Sequence, residues 1–232
     1  MRIAIISDIH GNYEALKTVL KDIRKLKIDK IYCLGDVVNY YYEPDKCINI
    51  FIRKKIQSIK GNHENILFST FKNENKKKYY SRIYGHSINI NFKKLKHKHI
   101  IFLKKLKKRL TIQIKNLKII LAHGSPWSEN TYIYPNFKKK IKDNLAKYKA
   151  DYIFLGHTHI PMNVKINNKT SVINPGSVGQ PRNKCNHACW AVFDTKNRKI
   201  EFMQSKYDKD KLIKNIMKYD GLNSKLKKYF LN

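Results

Sequence analysis

A layered α/β protein is what this sequence predicts, and three observations carry the prediction. Short apolar runs recur along the chain, the first three are separated by amphipathic segments at the repeat length of βαβ units, and the later runs come one after another with mostly turns between. The opening run "RIAIIS" reads as a strand. The segment "NYEALKTVLKDIRKLK" then sets Tyr13, Leu16, Val19, Leu20, Ile23 and Leu26 at helical spacing. "KIYCLG" is the second strand. Pro44 suits the first position of a helix that carries Cys47, Ile48, Ile50 and Phe51. "IQSIKG" is the third strand. Residues 63–109 read as mostly helical and very basic, and "FKKLKHKHIIFLKKLKKRL" is expected to be a solvated helix pair covering a sheet rather than a platform for a polyanion or a membrane. Strands dominate afterwards: "LTIQI", "LKIILAHG", "DYIFLG", "NVKI", "TSVIN", "CWAVFD" and "KIEFMQ", with "INNKT" and "DTKNR" as hairpin turns. The end reads as one or two short helices around Gly221. With no Gly/Ser linker or internal repeat, residues 1–232 are expected to form a single domain.

The bulk numbers narrow the function classes. A chain of 232 residues can bury a sizeable core, and 42% hydrophobic with 28% charged residues is the balance of a soluble globular protein. The formal net charge is +32, from 49 Lys+Arg against 17 Asp+Glu. Such a balance can mark a nucleic-acid surface. Here the lysines are spread over most of the length, in a chain crowded with Lys, Ile, Asn, Tyr and Phe, all residues with AT-rich codons. Codon composition is the favoured explanation, and nucleic acid is not the favoured partner. Cys33 sits inside an apolar run as a small hydrophobe, and "CNHAC" (185–189) lacks the second cysteine pair of a structural zinc site. The first residues are too short an apolar stretch for a signal peptide, and no segment is apolar enough to span a bilayer, so a cytoplasmic setting is expected.

The chemistry lies at the ends of the apolar runs. "IAIIS" ends in Asp8 and His10, "IYCLG" in Asp36, and "IQSIKG" in Asn62, His63 and Glu64. "IILA" ends in His123, and "YIFLG" in His157 and His159. Each run thus delivers a metal-competent group at the carboxyl end of an expected strand, the edge where α/β sheets bind ligands. His157 and His159 stand two apart, the spacing that sends side chains to one side of an extended chain. Oxygen and nitrogen donors without thiolate suit Mn, Fe, Co, Ni or Zn. So many groups exceed the needs of one ion and suit two ions about 3.5–4 Å apart with a shared carboxylate, an arrangement for in-line displacement at phosphorus by metal-activated water.

The motifs "DIH" (8–10), "GD" (35–36), "GNHE" (61–64), "AHG" (122–124) and "GHTH" (156–159) resemble, in order, spacing and strand context, the signatures of the calcineurin-like metallophosphoesterases. "SDIHGN" and "NPGSVGQPR" (174–182) are similar to compact bacterial and archaeal members. The resemblance covers nearly the whole chain and implies a four-layer αββα sandwich, two facing mixed β-sheets flanked by helices. It implies that Asp8, His10 and His159 hold one divalent ion, that Asn62, His123 and His157 hold the other, and that Asp36 bridges them. Manganese is the expected metal, with Fe, Ni, Co or Zn as alternatives. His63 is then the acid that contacts the phosphate or protonates the leaving group. A scaffold role on this fold, as in the family's retromer subunit, usually accompanies lost ligands, and none is lost here.

The chain departs from the resemblance at "GDVVNYY". Phosphoprotein phosphatases of the superfamily carry G-D-x-V-D-R-G, whereas Asn39 and Tyr40 stand at the second Asp and the Arg. A neutral amide does not stabilise an imidazolium as a carboxylate does, which argues against a phosphoprotein phosphatase. Asn39 and Tyr40 are candidate substrate contacts; the aromatics of "NYYY" fit either a pocket lining or drift on a surface loop. Arg182 is a third candidate, for the substrate phosphate. Trp127 fits a pocket wall or a loop anchor equally well. The expectation is a two-metal phosphodiesterase acting on a small phosphate ester or nucleotide. A phosphomonoesterase or dinucleoside polyphosphate hydrolase is the alternative.

Overall fold

The computed structural model of the chain describes residues 1–182, 186–221 and 226. The chain opens with β1 (Arg2–Ile6), α1 (Tyr13–Lys25), β2 (Lys30–Cys33), α2 (Pro44–Lys54) and β3 (Gln57–Ser58). Helices α3 (Asn62–Lys72), α4 (Glu74–Tyr84), α5 (Ser87–Lys94) and α6 (His97–Lys104) come next. After them stand β4 (Arg109–Ile114), β5 (Leu117–Ala122), α7 (Lys139–Ala146), β6 (Tyr152–Phe154), β7 (Met162–Lys165) and β8 (Ser171–Asn174). The chain closes with β9 (Ala188–Asp194), β10 (Lys199–Ser205) and α8 (Asp210–Asp220). Among the described residues, no helix is long and apolar enough to cross a membrane.

Two five-stranded sheets result, in the orders β10-β9-β1-β2-β3 and β4-β5-β6-β8-β7. Both are mixed: β1 runs parallel to β2 and antiparallel to β9, and β5 runs parallel to β6 and antiparallel to β4. The runs of β1, β5 and β9 lack polar alternation because both their faces are covered, whereas the edge strands β4 and β10 keep exposed positions. In the layer between the sheets, Ile3 and Ile5 of β1 share a core with Ile119, Leu121 and Phe154 of the second sheet. Ala4 and Ile6 point the other way, into a core built with Leu16 and Val19 of α1 and Ile48 and Phe51 of α2. On the outer face of the second sheet, Ile120, Ile153 and Val172 pack with Leu145 of α7. The order helix, sheet, sheet, helix is the four-layer sandwich expected.

Local signals explain the helix ends. Asn12 caps α1 by accepting the Ala15 N–H at 3.1 Å, with Glu14 in the first turn and Arg24 and Lys25 in the last. Pro44 opens α2 as expected. The basic segment differs from its reading as a helix pair: it is four short helices. Asn73 is extended and caps α4 through the Lys76 N–H, Gly85 stops α4 at φ 64°, and Leu95 is extended between α5 and α6. These breaks let Leu67, Ile90 and Leu103 enter the core beside α2 while α4 buries none of its side chains. Helix α7 carries only a short apolar signal in the sequence, Ile141 and Leu145 four apart, and Leu145 is the residue it buries. Helix α8 ends at Gly221, which gives one closing helix; the sequence leaves open whether a second follows, and that stretch, like Cys185 of "CNHAC", lies outside the described residues.

The loops after β2 and β3 touch. A Cβ on Gly35, which has φ +97°, would lie 2.5 Å from the Gly61 nitrogen, and one on Gly61 would lie 2.1 Å from Asp36 Oδ1. Glu64, one turn into α3, fastens the two loops by accepting the N–H groups of Gly61 (2.7 Å), Val37 (2.7 Å) and Asp36 (3.0 Å). Gly61 has φ −95°, which alanine adopts freely, so Gly61→Ala tests the contact alone. Overpacking of this kind costs about 1–3 kcal/mol, which lowers the melting temperature by roughly 2–12 °C in a chain of this size. An unchanged thermal melt would show that the loops do not depend on this approach.

Candidate active site

The candidate residues sit on loops that leave the strands with left-handed backbone. Asp8 (φ 54°), His10 (φ 53°), Asp36 (φ 56°), His157 (φ 68°) and His159 (φ 63°) all adopt it. This conformation is costly for residues with a Cβ and clusters where function requires it. It also corrects the extended-chain argument for His157 and His159. Strand β6 ends at Phe154, and the two histidines lie in a bend beyond it rather than alternating along a strand.

The bend sends them to different neighbours. Donor atoms of Asp8, His10 and His159 lie within 4.8 Å of one another, as do those of Asp36, His123 and His157, and those of His10, Asp36 and His63. Asn62 joins the second group, with Oδ1 2.9 Å from His123 Nε2. Every residue of this set is buried. Backbone carbonyls fix three of the imidazoles: His10 Nδ1 faces Val38 O at 3.3 Å, His123 Nδ1 faces Leu34 O at 2.7 Å, and His159 Nδ1 faces Gln180 O at 2.7 Å. A carbonyl only accepts, so in each neutral ring the proton is on Nδ1 and the lone pair on Nε2. These lone pairs converge. His10 Nε2 is 3.2 Å from His159 Nε2, and His123 Nε2 is 3.1 Å from Asp36 Oδ2. Acceptor facing acceptor at such distances is relieved by a cation, either a proton or a metal ion. His157 Nε2 is buried with no hydrogen-bond partner among the described residues.

The electrostatics match this donor set. Burial opposes ionisation of Asp8 and Asp36, but the surrounding histidines outweigh it and hold both carboxyls well below the usual range. Burial holds His10 well below its ordinary value and lowers His63 and His157 to about 4. His123 is the exception: burial opposes its charge, yet Asp36 and Asp8 push it up to about 10. Two buried carboxylates thus demand positive charge at this spot. Ionised carboxylates and imidazoles backed by carbonyls bind divalent ions, and an ion at this spot takes the place of the His123 proton.

His63 begins α3 beside Asn62, and its backbone N–H donates to Asp36 Oδ1 at 2.8 Å. Asn39, expected among the substrate contacts, is fully buried behind this ring. Its Nδ2 lies 3.1 Å from both His63 Nδ1 and the His63 carbonyl, and its Oδ1 accepts from Asn91. The carbonyl settles the amide orientation, so Nδ2 also donates to Nδ1 and the ring proton is on Nε2. Tyr40 is half-buried and meets the edges of the site, 4.7 Å from the His10 ring and 5.0 Å from the His63 ring. Tyr41 and Tyr42, by contrast, are core residues. Arg182 lies alongside, with its backbone N–H on the His159 carbonyl at 3.3 Å and its Nη2 donating to Gln180 Oε1 at 3.4 Å. Trp127 stacks on Tyr148, a loop anchor. The sequence reading gives no role to Glu64, whose carboxyl burial and Asp36 push up to about 7; its place inside "GNHE" is the signal for it. Tyr84 and Tyr132 go unnoticed there as well, because they carry no motif; their rings lie 4.8 Å from His63 and 3.9 Å from His157.

Comparison with known proteins agrees with this geometry. Residues 1–198 match the model of the calcineurin-like phosphoesterase superfamily domain. The chain is 35% identical to the protein MJ0912 of Methanocaldococcus jannaschii over 235 residues, covering 93% of this chain and 92% of the relative. A metallophosphoesterase from Sphaerobacter thermophilus superposes with a TM-score of 0.78 at 26% identity, over 97% of each chain. The protein PH1004 of Pyrococcus horikoshii superposes with a TM-score of 0.84 at 23% identity, over 98% of this chain and 96% of its own. The chain therefore belongs to the calcineurin-like phosphoesterase superfamily and is a metal-dependent phosphoric ester hydrolase.

Proposed function

We propose that the chain is a dinuclear-metal phosphodiesterase. The observation that carries the reading is the pair of buried donor groups, Asp8/His10/His159 and Asp36/His123/His157, with the Asp36 carboxylate reaching toward both through His10 and His123. Asp8, His10 and His159 would hold one ion, Asn62, His123 and His157 the other, and Asp36 would bridge. Oxygen and nitrogen donors fit manganese, with Fe, Ni, Co or Zn as alternatives. When bound, the two ions polarise the phosphate and activate a water.

This chain's own groups do the rest. Arg182 would meet a phosphate oxygen. A diester carries one negative charge where a monoester carries two, and a single guanidinium beside the site suits the former. Asn39 positions His63 instead of touching substrate, and leaves the Nε2 proton for the departing oxygen. A neutral amide at this place supports the case against a phosphoprotein phosphatase. The buried free thiols of Cys33, Cys47 and Cys189 suit a reducing compartment such as the cytoplasm.

Two measurements test the reading. The manganese-loaded protein should cleave nitrophenyl diesters with a higher kcat/KM than the corresponding monoester; the reverse order would favour the phosphomonoesterase reading. His63→Ala should slow alkyl or nucleoside esters by about 10²–10⁴-fold while sparing nitrophenyl esters, whose leaving group needs no proton. Equal losses on both ester types, with metal content unchanged, would remove the general-acid role of His63.

A further inference from the structure

We propose that two ladders of tyrosines form a clamp for a diester carrying an aromatic base on each side of the scissile phosphate. The inference rests on the phosphodiesterase reading and specifies its substrate class.

Each ladder starts at an imidazole of the centre. On one side, Tyr84 meets the His63 ring edge-on at 4.8 Å, Tyr80 stacks on Tyr84 at 5.9 Å and 12°, and Tyr79 meets Tyr80 at 5.1 Å. On the other, Tyr132 packs on the His157 ring at 3.9 Å, and Tyr134 stacks on Tyr132 at 6.0 Å and 8°. The outer rings stay wet: Tyr79 is 59% exposed, Tyr132 50% and Tyr134 45%. Core packing does not account for them, since α4, which carries Tyr79, Tyr80 and Tyr84, buries none of its side chains.

Half-exposed aromatic rings beside a phosphate site are platforms for bases, because every base has a π-face. The ladder at His63 lies where the leaving group departs, and the ladder at His157 lies beside the other donor group. One base on each side of the phosphate matches this arrangement. Charge agrees: Lys76, Lys78 and Arg82 are exposed on α4, and the Arg182 charge acts on Tyr132.

The test compares two diesters on the manganese-loaded full chain: the dinucleotide ApA and the aliphatic bis(trifluoroethyl) phosphate. Tyr80→Leu and Tyr134→Leu, the second rings of the two ladders, should each lower kcat/KM for ApA by about 5- to 150-fold, the range for one stacked base, and leave the aliphatic diester within about twofold. Tyr80→Phe, which keeps the ring, should retain ApA hydrolysis. Calorimetric binding of phosphorothioate-linked ApA should weaken in parallel with the Leu variants. Equal losses on both diesters, or wild-type ApA hydrolysis in both Leu variants, would overturn the clamp while leaving the phosphodiesterase reading intact. Failure of the loaded wild-type protein to cleave any diester would overturn that reading and the clamp with it.

Discussion

The arrangement depends on one electrostatic constraint, the convergence of lone pairs around two buried carboxylates. His10 and His159 point Nε2 at each other across 3.2 Å, and His123 points Nε2 at Asp36 across 3.1 Å. Water is largely excluded, so no solvent relieves the opposition, and an isolated buried carboxylate is expensive. Positive charge between the groups resolves both problems. The carbonyls of Val38, Leu34 and Gln180 turn Nε2 of each ring toward the centre, where it is a lone pair in the neutral imidazole. Leu34 and Val38 flank Asp36 in the loop after β2, and Gln180 lies beyond β8, so both sheets contribute to holding the donor set.

Holding those loops together has a local cost that the sandwich absorbs. Asp8, His10, Asp36, His157 and His159 take left-handed backbone, and each is disfavoured by roughly 1–2 kcal/mol. The compensation is visible in named contacts: Glu64 gathers the N–H groups of Gly61, Val37 and Asp36, and Asp8 accepts the His157 N–H at 3.1 Å. Gly35 and Gly61 let the loops approach closely enough for Asp36 to accept the N–H of His63 at the start of α3. Two sheets covered on both faces make the rigid support from which these loops spring.

Much of this is legible in the sequence. The central strands are visible because two-sided burial demands continuous apolar runs, and the donors because each stands directly after such a run. The features that escape depend on contacts between distant segments. Asn39 reads as a substrate contact from its motif alone; Asn91, on α5, holds its amide behind His63 instead. His157 and His159 reach the site for a different reason than their spacing implies, since a left-handed bend is invisible to a period-two argument. The helix breaks at Asn73 and Leu95 reflect how α3, α5 and α6 must turn to reach α2. Tyr84 and Tyr132 have no motif, because only the tertiary fold brings them beside the histidines.

Whether the converging lone pairs are there to hold a metal pair is decided by electron paramagnetic resonance of the manganese-loaded chain, with metal content measured on the same sample. Two ions per chain with a spin-coupled spectrum are predicted, as expected for ions about 3.5–4 Å apart, together with loss of the coupling in Asp36→Asn. One uncoupled ion per chain, or coupling that survives Asp36→Asn, would contradict the shared-carboxylate centre.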